Sequence, residues 1–336
     1  MKKMMVISAV VAAAAVVFCV KIAKSCIGGK AAPVVLRLSE VQGDGYPTAL
    51  ACGEFSRLVE ERSGGSIKIE VYTGGRIYED ESDALGALCD CSLDFARISS
   101  APVSNRVRKL CVIHLPYLFR DKNHFMGVLS GKIGDEMLSS MKESGIGIEG
   151  LCFYDSGVRS LYSVSPVHSA DDVIGMKIRI QTSPAMMRFC ELLGATGITG
   201  IPSNEVYNKI LNGLVDGAEN NISTYKSKGD YQAAPYYTKT EHVYVPDVLI
   251  ASEKTLKKLG EKDAALIREC AKMTQEFEFR KWLEFEEESE RVVRGAKNTI
   301  IELSDEERGE FRRKVMPMYR DYESDFGDII RAIQKS

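Results

Sequence analysis

Residues 174–194 read IGMKIRIQTSPAMMRFCELLG, and this stretch indicates the fold class of the chain. In a β-strand, successive side chains point to opposite faces, so Ile178 and Ile180 lie on one face while Lys177 and Arg179 lie on the other. The ordinary interpretation of this alternation is a half-buried strand with a solvated face. The sequence therefore raises the question of whether Arg179 faces solvent or a ligand.

Helix signals follow this strand at once. Ser183 suits the N-cap position, Pro184 the first helical position, and Gly194 the residue that ends the helix. The same succession of alternating strands and amphipathic helices occurs elsewhere in the chain, which predicts an α/β fold with a largely parallel sheet. Strands are predicted at 34–40, 66–75, 93–100, 147–156, 159–164, 174–181 and 214–220, and helices at 46–65, 82–92, 184–194 and 202–213.

The bulk composition limits the class of protein. The chain has 336 residues, of which 45% are apolar and 27% are charged, as in ordinary soluble globular proteins. This length is enough for about two domains. The formal net charge is -3, and the basic residues are interspersed with acidic ones. Because nucleic acid binding usually requires a basic patch, we expect no nucleic acid partner.

The first residues are typical of an export signal. Two lysines precede an apolar run from Met4 to Val20, which is the layout of a secretory leader close to the minimum length of a membrane span. Cys26 follows a weak version of the lipoprotein cleavage signal, and an alternative cleavage site lies near Ala32. We interpret residues 1–32 as a signal or anchor segment. The exported chain is then lipid-anchored, membrane-anchored or free.

The sequence does not indicate catalytic, metal or cofactor chemistry. Neither GxSxG nor HExxH occurs, and no glycine-rich phosphate loop is present. The four histidines are far apart in the sequence. Of the nine cysteines, Cys19 and Cys26 lie in the leader, and we interpret most of the others as small buried hydrophobes rather than a disulfide framework. We therefore expect no catalytic residue, no metal and no cofactor.

Residues 252–297 differ in composition from the rest of the chain, with no proline, few glycines and dense charge of both signs. This pattern predicts one or two long helices, in which the acidic run EFEEESE is a solvated face. The predicted apolar stripe consists of Leu259, Leu266, Ile267, Cys270, Met273, Phe277 and Trp282.

Three arginines lie at strand positions or turns rather than on helical faces. They are Arg97 in LDFARISS, Arg159 in DSGVRSLYS and Arg179 in KIRIQTS. A guanidinium group offers a planar fork of donors that matches a carboxylate, so arginines that meet in a cleft would bind an organic anion. Arg179 is the strongest candidate because it lies near the end of a strand just before a helix begins, where open α/β sheets gather ligands.

An ordered series of motifs extends over about Val35 to Tyr322. The series is VEERSGGSIKIEVYTGG, LDFARISSAPVS, LPYLFRD with His124 after it, GVRSLYS, DDVIGMKIRIQTS, LLGATG, SNEVYNKILNGLVDGAEN and ELSDEE. Each motif is weak alone, but the ordered series is specific. With this series the chain resembles the extracytoplasmic solute receptors of tripartite ATP-independent periplasmic (TRAP) transporters, the DctP family.

This resemblance implies a two-domain periplasmic-binding-protein-like fold. Two α/β domains would hinge around a cleft near Asp155 and Val245, a long helix would span both, and closure would capture a carboxylate ligand. Domain I would comprise residues 33–156 plus 246–285, and domain II residues 157–245 plus 286–336.

The resemblance also implies ligand-binding residues. Arg179 would form the carboxylate clamp, and the arginine of GVRSLYS and the asparagine of DGAEN would be further contacts. The first-domain loop here reads SEVQGDGYP in place of the histidine-bearing loop often seen in the family. The implied set is Arg179, Arg159, Asn220, Glu219, Asn221 and Tyr225 from the second domain, with Arg97 and the Glu40–Tyr46 loop from the first.

The implied ligand is a small organic acid, and we expect a sugar acid such as a uronate. The polar side chains of the implied site suit the hydroxyl groups of a polyol carboxylate better than they suit an apolar acid. These side chains are Asn220, Asn221, Gln42 and Glu40. The implied partners are the small and large integral membrane subunits of a TRAP transporter, with a monomeric receptor. Two alternatives remain at this point, namely a receptor that presents its ligand to a membrane sensor and a secreted enzyme that acts on acidic sugars.

Overall fold

The computed structural model describes residues 32–336 of the chain. The predicted leader therefore lies outside the described residues, apart from its last position. Within residues 32–336, no helix is both long enough and apolar enough to span a membrane.

The first of two sheets has five strands in the spatial order β2-β1-β3-β10-β4. Strands β1, β2 and β3 pair in parallel, whereas β10 lies antiparallel between β3 and β4. The strands are β1 Val34–Ser39, β2 Ile67–Tyr72, β3 Phe95–Ser99, β4 Ile148–Tyr154 and β10 Asp247–Ser252.

The second sheet has six strands in the order β11-β9-β5-β8-β6-β7. The pairs β11 with β9, β8 with β6 and β6 with β7 are parallel, while β5 is antiparallel to both β8 and β9. The strands are β5 Val158–Ser163, β6 Lys177–Arg179, β7 Thr196–Ile198, β8 Gly217–Asn220, β9 Tyr236–Tyr244 and β11 Thr299–Ile301.

The α/β fold class is confirmed, but the expectation of a largely parallel sheet is wrong in detail, because both sheets are mixed. The antiparallel strand β10 reaches the first sheet from a distant part of the chain and pairs Asp247 with Ser99. Strand periodicity in the sequence reports which face of a strand is buried, and it carries no information on the direction of a partner so far away.

Helices connect and cover the two sheets. Helix α6 begins after Ser183, and Gly194 ends it with φ of 75°, as predicted. The predicted helix at 202–213 is shorter and begins after Glu205. The α-helices are α1 Pro47–Arg62, α2 Glu81–Asp90, α3 Ser100–Ser104, α4 Lys122–Ser130, α5 Lys132–Glu143, α6 Pro184–Leu193, α7 Val206–Leu211, α8 Ile222–Ser227, α9 Glu253–Leu259, α10 Glu261–Gly295, α11 Asp305–Val315 and α12 Met318–Lys335, with 3₁₀ turns at Arg108–His114 and Asp230–Gln232.

The long helix α10 has 35 residues and contacts both halves of the molecule. It packs against α1 and β4 on the side of the first sheet and against α8 on the side of the second. Of the predicted apolar stripe, Trp282 is fully buried, but Met273 is 46% exposed and lies outside the core. The sequence pattern alone cannot show whether Met273 is buried, because other elements pack against only part of the circumference of α10.

The chain passes from the first sheet to the second between β4 and β5, and back between β9 and β10. The two crossings lie side by side, and the Ser156 hydroxyl donates to the Val245 carbonyl. Gly157 has φ of 63°, and a Cβ at this position would lie 2.5 Å from Glu286 Oε1 and 3.1 Å from Trp282 Nε1. Only glycine therefore fits this crossing against α10.

All seven cysteines of the described chain are free thiols, and five of them are buried. They pack within the apolar core, so the interpretation of most cysteines as small buried hydrophobes is confirmed.

Candidate ligand-binding site

A cavity lies between the two sheets, where residues at strand ends and in the following loops face each other. Five of the eight single residues predicted for the site line it, namely Arg97, Arg159, Arg179, Asn220 and Asn221, and Val41, Gln42 and Tyr46 of the predicted Glu40–Tyr46 loop line it as well. The structure thus brings together side chains that are far apart in the sequence.

Arg179 is the last residue of β6, and its side chain lies in the cavity wall, with 7% of the residue exposed. Its Nε and Nη2 donate to the carbonyl of Ile201 at 3.0 and 2.6 Å, which fixes the guanidinium plane. Within residues 32–336 this side chain forms no ion pair with a carboxylate. Burial lowers the pKa of Arg179, because the charged form loses water and the opposing effects of Tyr162, Glu219 and Asp230 do not fully offset that loss.

Arg159 lies on β5 and faces the same cavity, but its charge is already balanced. Its Nε donates to Glu219 Oε2 and its Nη2 donates to Glu219 Oε1 at 2.9 Å. Its Nη1 donates to Asn220 Oδ1 at 2.8 Å. Glu219 is fully buried, so it holds Arg159 in place from behind the cavity wall.

Asn220 ends β8 and Asn221 follows it, and both use their side-chain oxygens within the protein. Asn220 Oδ1 also accepts from the backbone N–H of Asn221 at 2.9 Å. Asn221 is the N-cap of α8, and its Oδ1 accepts from the N–H of Thr224 at 2.6 Å. The Asn220 amide nitrogen has no hydrogen bond within the described chain, so this wall offers a donor to the cavity.

Arg97 lies on β3 in the opposite wall, and three carboxylates surround it. Glu40 binds it through Nε and Nη2, Glu81 Oε1 lies 2.6 Å from Nη1, and Asp247 Oδ2 lies 3.2 Å from Nη1. Burial raises the pKa of Asp247 to about 7, against the opposing effect of Arg97. Burial also raises the pKa of Glu81. Arg97 therefore enters the site with its charge more than compensated.

Three predicted site residues do not line the cavity. Glu40 is fully buried behind Arg97, Glu219 behind Arg159, and Tyr225 donates its hydroxyl to the Ala234 carbonyl at 2.6 Å. The first two orient the arginines rather than face the cavity. Their ligand contacts remain predictions.

Several cavity residues escape sequence reasoning. Glu81 and Asp247 belong to no recognised motif, whereas Gln181 and Thr182 lie two and three residues after Arg179 and could have been found by proximity to it. The remaining lining residues that were not predicted include Ser99, Pro102, Ser156, Ile201, Pro202, Ser203 and Thr224.

Hydrogen bonds join the two walls across the cavity. The Tyr46 hydroxyl lies 2.9 Å from Thr224 Oγ1, and Gln181 Nε2 donates to Ser99 Oγ at 3.0 Å. Asn105 Nδ2 donates to the Thr182 carbonyl at 2.8 Å. These bonds describe an arrangement in which the walls are in contact.

No metal-binding cluster of three or more His, Cys, Asp or Glu side chains occurs in the part of the chain that the structure describes. His114 and His242 are buried, and burial lowers the pKa of each to about 3.

Comparisons with known proteins agree with this geometry. The model of the family described as bacterial extracellular solute-binding protein, family 7 (DctP) matches residues 38–325. A solute-binding protein of Chromohalobacter salexigens is 30% identical over 275 residues, which cover 82% of this chain and 80% of the relative. The C4-dicarboxylate-binding protein DctB of Bacillus subtilis is 31% identical over 312 residues, with 89% and 85% covered.

Solved structures show the same likeness. A TRAP periplasmic solute-binding protein from Bradyrhizobium sp., in complex with D-galacturonate, is 35% identical with a TM-score of 0.86, covering 90% of this chain and 99% of that one. Another from Pseudomonas putida F1, with bound D-glucuronate, is 27% identical with a TM-score of 0.87, covering 90% and 97%. The resemblance that the motifs indicated is confirmed, and the chain belongs to family 7 of the bacterial extracellular solute-binding proteins, the DctP family.

Proposed function

We propose that this protein is an extracytoplasmic receptor that captures a sugar acid, with a uronate as the preferred class, and delivers it to TRAP-type membrane subunits. The observation that carries the proposal is the buried guanidinium of Arg179, which forms no ion pair with a carboxylate within residues 32–336. A buried charge without a partner is costly, and a ligand carboxylate would remove that cost.

The remaining lining suits a polyol. Gln42, Ser99, Gln181, Asn220 and Asn221 supply neutral polar groups around the cavity. Related structures with bound galacturonate and glucuronate support the choice of a uronate. An apolar acid would leave the unpartnered atoms of these groups, such as Gln181 Oε1 and the Asn220 amide nitrogen, without hydrogen bonds, which is unfavourable in a closed site.

Capture would proceed by closure of two domains with the boundaries predicted above, about crossings near Asp155 and Val245. The hydrogen bonds of Tyr46 to Thr224 and of Gln181 to Ser99 support this, since each joins one wall to the other. In the open state these groups would be hydrated, and the ligand charge would meet Arg179 before water is excluded. Export through residues 1–32, and a monomeric receptor, are parts of the same proposal.

Isothermal titration calorimetry tests the ligand class. We expect D-galacturonate or D-glucuronate to bind the purified chain, neutral D-galactose to bind far more weakly, and the acid to be recovered unchanged. Small-angle scattering should show a smaller radius of gyration on saturation. Binding of the neutral sugar but of no carboxylate would contradict the proposal, and conversion of the acid would favour an enzyme.

A further inference from the structure

The two walls of the cavity differ in charge. The wall built on the first sheet includes the acidic residues Glu79, Asp80, Glu81 and Asp247. The facing wall presents Arg159 and Arg179. A ligand that lies across the cavity therefore meets cations at one end and carboxylates at the other.

Arg97 does not reverse this difference, although it lies in the acidic wall. Glu40, Glu81 and Asp247 all contact it, so three carboxylates oppose one guanidinium. The nearby Lys228 is half-buried, and burial lowers its pKa, with Arg97 acting in the same direction. Lys228 does not line the cavity, and it forms no ion pair with these carboxylates in the described structure.

Glu81 and Asp247 keep acceptor capacity toward the cavity. Each contacts Arg97 Nη1 through a single oxygen, Oε1 of Glu81 at 2.6 Å and Oδ2 of Asp247 at 3.2 Å. Both residues also line the cavity, and the Glu81 side chain is 17% exposed. The Ser99 backbone N–H also donates to the Glu81 carboxylate. The two oxygens of an ionised carboxylate together offer about four acceptor sites, so each residue retains acceptor sites for a ligand donor.

A second ligand carboxylate at this end would be repelled. Its charge would face the Glu81 carboxylate and, above about pH 7, the ionised form of Asp247, at short range in a cavity that excludes most water, where like charges are poorly screened. Ligand hydroxyl groups would instead donate to these oxygens. Discrimination of this kind depends on the repulsive element as much as on the attractive one.

We infer that Glu81 and Asp247 determine ligand specificity, by accepting hydrogen bonds from hydroxyl groups at the end of the ligand opposite its carboxylate and by excluding acids with a second carboxylate there. This inference rests on the proposed function and deepens it. The site is thereby assigned to monocarboxylate polyols, in contrast to the C4-dicarboxylates in the name of the Bacillus subtilis relative.

The test compares two acyclic acids that differ at one position. D-galactonate ends in a hydroxymethyl group where galactarate has a second carboxylate. We expect calorimetry on the whole exported chain to give at least about tenfold tighter binding of galactonate, because juxtaposed like charges cost several kcal/mol at an interface. Equal or tighter binding of galactarate would overturn the inference.

Two variants locate the effect. Glu81→Gln and Asp247→Asn should each reduce the galactonate-to-galactarate preference by about fivefold or more, while circular dichroism shows that the fold is kept. Glu276→Gln removes the same charge from the exposed face of α10 and should leave the preference unchanged. An unchanged preference in both cavity variants, or an equal change in Glu276→Gln, would refute the assignment.

The same titrations separate this inference from the proposed function. D-galacturonate is measured alongside the two acids. If it binds but neither cavity variant changes the preference, only the specificity inference fails. If no sugar acid binds to the parent protein, the proposed function itself fails and the inference falls with it.

Discussion

Arg179 and Arg97 lie in opposite walls of one cavity, and the comparison shows how identical side chains acquire different roles. Both are on strands and both are buried, with 7% and 2% of the residue exposed. Arg97 contacts three carboxylates of its own chain, whereas Arg179 donates to a single backbone carbonyl. The number of internal anions, rather than burial, separates a structural arginine from a candidate for ligand binding.

The physical consequence follows from the cost of a buried charge. A guanidinium taken from water must recover its hydration energy from neighbouring anions and acceptors. Arg97 recovers this hydration energy from its three carboxylates when the chain folds, so these contacts contribute to the stability of the protein. Arg179 recovers only part of it on folding, so the remainder is available to favour a bound anion.

The largest expected effect is on folding, in Arg97→Met. Removal of this cation leaves Glu40, Glu81 and Asp247 buried together without their shared partner. Breaking a buried ion pair costs about 3–5 kcal/mol. We expect the free energy of unfolding, measured by urea denaturation of the ligand-free protein, to fall by an amount of this order.

Arg179→Met is the matched comparison. It removes a buried cation of the same size that forms no ion pair with a carboxylate of residues 32–336, so its ligand-free stability should change much less, or should rise. If the two variants lose equal stability, the distinction between the two arginines is wrong.

The second effect is on binding, in Arg179→Lys. Lysine keeps the charge but lacks the planar fork that can hold a carboxylate at two points, and its ammonium is harder to remove from water. Truncation of one partner of a buried charge pair costs about 2–5 kcal/mol, so Arg179→Ala should lower uronate affinity by roughly 30-fold or more. We expect Arg179→Lys to be severely impaired as well.

Calorimetry on variants that circular dichroism shows to be folded measures this effect. Arg159→Ala serves as a comparison, and it should lose less affinity because Glu219 already occupies two of its donor nitrogens. Binding by Arg179→Lys within about threefold of the parent would return Arg179 to the interpretation of a solvated strand face.

The sequence predicts one of these arginines better than the other. Arg179 could be singled out because strand alternation and the following helix start are local, and both are read from a few neighbouring residues. The environment of Arg97 depends on β10, which pairs antiparallel with β3 and brings Asp247 beside it. No periodicity in the sequence encodes that pairing. The sequence also predicts Glu40 as a cavity residue, whereas in the structure it lies fully buried behind Arg97.

The signals for strands and helices are also local in the sequence. Most of the predicted strands and helices from β1 to α6 agree with the structure. Errors arose where tertiary packing decides the outcome. Met273 continues the apolar stripe of α10 but is 46% exposed, and its Sδ accepts from Arg62 Nη1 of α1 at 3.2 Å. Ser183 precedes α6 as predicted, yet its side chain makes no capping hydrogen bond.

The smallest expected effect tests the contact that brings the two arginine-bearing walls together. Tyr46→Phe removes the hydroxyl that lies 2.9 Å from Thr224 Oγ1. The ring remains packed on Trp282 and Phe285, with centroids 5.7 and 5.2 Å away, so the fold should be retained. A neutral buried hydrogen bond contributes about 0.5–1.5 kcal/mol, so uronate affinity should fall by roughly 2- to 12-fold.

The loss should appear as faster dissociation in stopped-flow measurements, because the bond forms only after the walls meet and therefore slows reopening rather than encounter. Thr224→Val removes the other partner and is the matched variant. If the bond is formed in the closed complex, the double variant should lose little more affinity than either single one, since each removes the same interaction. Fully additive losses would show that Tyr46 and Thr224 act on the ligand separately, and that closure aligns Arg179 with the acidic wall through other contacts.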